Sequence, residues 1–127
     1  MTNYNLEEAE LIKVQIGLSV ILLFTTIISI SLSYNFLMML EKKEPIYNDK
    51  DSYNILLFNR GLMFIVALMF IYINIRDKRV KEKYRLEDEF ADLQIWASVF
   101  SFFAALIVLY VGINSGNNLI SEENPTI

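Results

Sequence analysis

"LLFNRGLMFIVALMFIYINIRDKRVKEKYR", residues 56–85, runs an apolar segment into a dense basic cluster and plants one arginine, Arg60, inside the apolar part. Gly61 to Ile75 carries no charge, whereas Arg76, Lys78, Arg79, Lys81, Lys83 and Arg85 crowd the stretch that follows. A helix needs about 20 predominantly apolar residues to cross a hydrocarbon layer of ~30 Å. A basic flank is what such a span carries at a water-facing end. Two more charge-free runs stand on either side, Val14 to Leu40 and Leu93 to Ile120. Soluble helices of this length keep a polar face, and these do not.

The fold expected is therefore all-α: an integral membrane protein built as an antiparallel bundle of three transmembrane helices, within a single domain of 127 residues. A hydrophobic content of 54% agrees with it. The spans are expected at about 14–40, 55–75 and 94–114, with loops at about 41–54 and 77–90 and a polar tail at 116–127. Helices 1 and 2 are expected to project beyond the membrane on the cytoplasmic side, since each has a helical pattern longer than one bilayer core. Asn5 and Glu8 read as a capping box opening helix 1. Pro45 and Asn48-Asp49 read as turn signals in the first loop. Gly116 reads as the C-terminal cap of helix 3.

Three spans place the N-terminus and second loop on one side, with Lys13 and the six basic residues of 76–85. The other side has Lys42, Lys43 and Lys50, with Arg60 inside the span. The excess of Lys and Arg near span ends favours the cytoplasm for the first side, giving N-terminus in and C-terminus out of a cell membrane. The acidic start, Glu7, Glu8 and Glu10, and the length of the first apolar run do not read as a cleavable signal. Abundant Ile, Asn and Lys point to an AT-rich, bacterial genome.

The chain has no cysteine and no histidine, which removes thiol and imidazole chemistry. No carboxylate lies in any apolar run, no glycine loop cradles phosphate, and no nucleophile has a base beside it. Neither catalysis, a cofactor, a metal nor a small-molecule substrate is expected. The basic cluster is short, lies against the membrane and is followed by Glu87, Asp88 and Glu89, which argues against nucleic acid. Salt bridges to Glu7, Glu8 and Glu10 are its expected use, beside setting topology. The partners expected are the lipid bilayer and either further copies of the chain or another membrane protein.

Three patterns could carry function. On helix 3, Ala97, Ser101, Ala104 and Gly112, with Ala105 at the edge, form a small-residue stripe of the kind that lets membrane helices approach closely, inside one protomer or at an oligomer seam. On helix 1, Gln15, Ser19, Thr26, Ser29 and Ser33 form a polar stripe that either docks on the small face of helix 3 or lines a pore. On helix 2, Arg60, Ala67 and Asn74 recur every seven residues. An arginine in a span either snorkels to lipid phosphates or pairs with polar groups at its own depth. Ser33, Tyr34 and Asn35 of helix 1 are candidates, with Tyr110 and Asn114 of helix 3, or Glu41 and Glu44 just outside the span. The function expected is a non-enzymatic packing or self-associating membrane subunit; the alternative is a small homo-oligomeric channel or holin-like pore lined by the stripe of helix 1.

Overall fold

A computed structural model describes the backbone of residues 2–122 and the side chains of residues 2–115. Those residues form three helices, α1 (Asn3–Leu40), α2 (Asp49–Lys83) and α3 (Ala91–Glu122), and no strand occurs among them. Each helix is long and apolar enough to cross a membrane.

The helix ends differ from expectation where capping is decided locally. Thr2, not Asn5, caps α1: its Oγ1 accepts the Asn5 amide at 3.1 Å. Asn48 caps α2 through Oδ1 and the Asp51 amide at 2.7 Å, so α2 starts six residues earlier than 55 and absorbs half of the expected first loop. At its other end α2 runs to Lys83. α3 begins at Ala91 and continues through Gly116 to Glu122, so the first half of the expected polar tail is helical; residues 123–127 lie outside the described residues. α1 and α2 terminate alike. Lys42 and Arg85 adopt left-handed φ values of 58° and 57°, and the next amides, Lys43 and Leu86, reach back to the Met38 and Lys81 carbonyls at 2.9 and 2.8 Å. This is the Schellman arrangement, which glycine usually serves.

Seven-residue spacing organises the packing. α2 buries Asn59, Val66, Ile73 and Val80 toward α1, against Leu18 and Thr25. α3 buries Ala91, Ser98 and Gly112 toward α2, with Ala105 half-buried between them. A heptad repeat is the signature of left-handed, knobs-into-holes helix packing. α2 touches both neighbours, antiparallel to each, whereas no Cα of α1 comes within 8 Å of α3. The expected docking of the helix 1 stripe on the small face of helix 3 therefore does not occur.

Geometry explains the gap. The stripes that face α1 (Asn59, Val66, Ile73, Val80) and α3 (Arg60, Ala67, Asn74, Lys81) are one residue apart, hence about 100° apart around α2. With packed axes 8–10 Å apart, α1 and α3 stand roughly 12–15 Å from each other. The three helices form an open V whose apex is α2.

Candidate functional site

The α3-facing stripe of α2 is a ladder of polar clamps. Tyr53 donates its hydroxyl to the Ile113 carbonyl at 3.3 Å. One heptad on, Arg60 Nη1 donates to the Val108 carbonyl at 2.8 Å. Ala67 lets the helices close, and Phe64 packs on Phe102 with ring centroids 5.0 Å apart. Asn74 Nδ2 donates to Ser98 Oγ and to the Gln94 carbonyl, and Lys81 ends the ladder on Asp88 at 2.9 Å. Sequence reasoning had Arg60, Ala67 and Asn74 in line; Tyr53 and Lys81 extend that line beyond the apolar run.

Arg60 is half-buried and turned onto protein. Its seat is Gly112. A Cβ there would lie 2.8 Å from Arg60 Nη1 and 3.0 Å from its Cδ, so a larger residue at 112 would push the Arg60 side chain aside. Its bond goes to a main-chain carbonyl rather than to Tyr34, Asn35, Ser33 or another of the expected polar side chains. Tyr34 and Ser33 are exposed.

Asn35 serves a different contact. Only 2% exposed, it accepts the Tyr47 amide on Oδ1 at 2.8 Å and donates Nδ2 to Ser52 Oγ at 3.1 Å. With the Ser31–Tyr47 hydroxyl pair at 3.0 Å, it straps the first loop to α1. Asn59, which the sequence analysis passed over, donates to Ser29 Oγ at 3.0 Å, and its buried Oδ1 has no partner among the described residues.

The polar stripe of helix 1 is mostly spent on its own backbone. Ser19, Thr26 and Ser29 donate to the Gln15, Leu22 and Thr25 carbonyls at 2.9, 2.9 and 3.0 Å. Such back-bonding satisfies a hydroxyl without a partner helix. Gln15 instead faces the opening of the V.

That opening is a groove of about 610 Å³. Its floor includes Met63, Ala67, Phe70 and Asn74 of α2, and its walls include Gln15 and Leu22 of α1 and Ala97, Ser101 and Ala104 of α3. The small-residue stripe thus divides: Ser98, Ala105 and Gly112 meet α2, while Ala97, Ser101 and Ala104 remain exposed along the groove. The bulky face, including Phe100, Ile107 and Tyr110, points outward at 61–67% exposure. Among the described residues no cluster of acidic side chains could hold a metal ion.

At the end bearing the N-terminus and second loop, charges join all three helices. Lys83 pairs with Glu7 at 3.0 Å, Lys81 with both Asp77 at 3.1 Å and Asp88 at 2.9 Å, and Lys78 with Asp92. Glu8, six residues before the apolar run of α1, faces the Asp77 carboxyl instead of a cation, with its Oε2 buried. Burial, then the hydrogen bond and charge of Asp77, push the Glu8 carboxyl up from 4.5 to about 7, against the pull of Lys81. A carboxyl whose value rises on folding stabilises the contact most fully below its ordinary value, and that stabilisation is lost as pH rises through the folded value. Lys83 holds Glu7 below its ordinary range, so Glu7 stays ionised through this window. Amide-exchange protection over residues 3–13, taken relative to the base-catalysed intrinsic rate, is accordingly expected to be greater at pH 5.5 than at pH 8, and Glu8→Gln to remove that difference. Equal pH dependence in both proteins would contradict the assignment.

Comparison with protein-family models, with curated proteins and with solved structures finds no match to this chain.

Proposed function

We propose that the protein is a multi-pass subunit of a cell membrane, without catalytic chemistry, whose work is to dock a transmembrane helix in the groove over α2. The helix comes from a second copy or from another membrane protein. The N-terminus and second loop face the cytoplasm, in keeping with their basic residues. One observation carries the reading: α1 and α3 stand apart, and the residues they leave exposed between them are Ala97, Ser101 and Ala104. In lipid, close backbone approach at small residues drives helix association, because the apolar faces gain nothing by leaving the hydrocarbon. The clamps on the other face of the small stripe already hold α3 to α2, so these residues are surplus to packing within the protomer.

Ala104→Leu is expected to block the groove without disturbing the α2–α3 seam. In a mild detergent the wild-type chain should then run as a dimer or co-purify with its partner, and the variant should lose this at least fivefold, with unchanged helix content. An association that survives Ala104→Leu and Ala97→Leu together would exclude the groove.

The pore reading draws support from Gln15, Asn74 and Gln94, three carboxamides placed at similar depth along the groove. It requires ion conductance from the purified protein in bilayers, altered by Gln15→Leu. Silence in bilayers removes it and leaves the docking reading standing.

A further inference from the structure

Arg60 poses a charge-balance problem that the fold answers only in part. A guanidinium offers five N–H donors and stays ionised under all ordinary conditions. Within the described residues it makes one side-chain hydrogen bond, to the Val108 carbonyl, and no carboxylate lies within ion-pairing distance. A carbonyl is a dipole and leaves the net charge uncompensated. An unpaired ion in an apolar layer is strongly disfavoured, so the remaining donors call for an anion.

Three observations select it. No apolar run of this chain contains Asp or Glu, and the carboxylates that flank this end, Glu41, Glu44, Asp49 and Asp51, form no ion pair with Arg60 among the described residues. Arg60 is not among the residues lining the groove, so a helix docked there leaves it uncovered. Val108 and Gly112 lie six and two residues before Asn114, where the expected span of α3 ends, and so roughly 3–9 Å below that edge. That is within the reach over which arginine meets the headgroup layer. Tyr53 and Tyr110 flank the same level, as aromatic side chains do at membrane interfaces. The Arg60 side chain lies against Gly112, where a Cβ would crowd it.

We propose that Arg60, held in the Gly112 notch at the α2–α3 seam, binds the phosphodiester of an anionic phospholipid from the leaflet at the first-loop end. The planar guanidinium takes two phosphate oxygens side by side with the donors that Val108 leaves free. The site is a lipid seat built into the helix pair, distinct from the groove.

The inference rests on the membrane-spanning part of the proposed function, and the experiment separates the two. Full-length protein is reconstituted in nanodiscs; a chain that carbonate washes from membranes or that fails to incorporate overturns the spanning reading itself. Incorporated protein is released into mild detergent with phosphatidylglycerol or phosphatidylcholine and examined by native mass spectrometry. Wild type is expected to retain phosphatidylglycerol about tenfold better than phosphatidylcholine, whose phosphodiester offers the same oxygens but whose choline cation already cancels the charge that would balance the guanidinium. Arg60→Gln should abolish the preference, and Arg60→Lys should keep part of it, since lysine retains charge without the fork. Arg79→Gln, in the basic cluster at the opposite end, should leave it intact. Inorganic phosphate at 10 mM, roughly the upper end of weak surface-ion affinities, should not displace the lipid.

No preference in wild type, or one that persists in folded Arg60→Gln, overturns the proposal. Displacement by inorganic phosphate reassigns the site to a free anion. Loss of a protein partner instead of lipid in Arg60→Gln would show that a foreign helix supplies the counter-charge, and overturns it equally.

Discussion

Gly112→Leu is expected to open the α2–α3 seam at the Arg60 end and to cost about 2–3 kcal/mol, the value of a charged hydrogen bond lost inside a protein. Even the first atom of the new side chain would sit 2.8 Å from Arg60 Nη1. The guanidinium would have to give up the Val108 carbonyl, and the larger leucine leaves no notch for it to re-enter. Unfolding in a detergent titration, followed by a distance label between α2 and α3, measures the loss. Placing Arg60→Ala in the same chain should recover at least ~1 kcal/mol of it, because neighbours that share one contact are non-additive. Equal damage from Gly112→Leu with and without Arg60 would mean that the glycine serves some other contact.

Asn35→Leu is the second large effect. Asn35 is 2% exposed and satisfies both the Tyr47 amide and Ser52. Leucine fills similar space but leaves a backbone donor without its acceptor, a penalty of about 1–3 kcal/mol. The expected outcome is release of residues 41–48 from α1, read as faster amide exchange or proteolysis in that segment. Ser31→Ala removes only the hydroxyl pair with Tyr47 and should produce a much smaller change. A first loop that stays protected in Asn35→Leu would show that the strap lies elsewhere.

The three helices were legible because apolar runs bounded by charge leave few alternatives. Their ends were not, because a cap depends on which of several eligible side chains turns back on the chain. Thr2 and Asn48 did; Asn5 did not, and α3 runs on past Gly116. The Arg60–Ala67–Asn74 line was readable from its period. Its continuation to Tyr53 and Lys81 was hidden by the change from apolar to polar surroundings. The small stripe of α3 shows a different limit. Ala, Ser and Gly occupy two adjacent stripes, so composition could not tell which one meets α2. A turn of about 100° separates Ser98 and Ala105 from Ala97 and Ala104, with Ser101 between the two stripes. Asn35 was singled out as a partner for Arg60, yet it meets a loop, and contacts formed through loops leave no periodic trace. Asn59 went unnoticed beside a charged neighbour. Nothing in one sequence shows that α1 and α3 fail to meet, since that depends on two stripes of α2 differing by a single residue.

That same placement of α2 bears on how the molecule is made. α1 and α2 share an interface that needs nothing from α3, so their hairpin is complete when Lys83 has been synthesised. At 5–20 residues per second, the second loop and the 32 residues of α3 take about 2–8 s more. For those seconds Tyr53, Arg60 and Asn74 have no Ile113, Val108 or Ser98 to bond. The polar ladder is thus a newly made hairpin's most exposed liability, and the last helix to arrive is the one that relieves it.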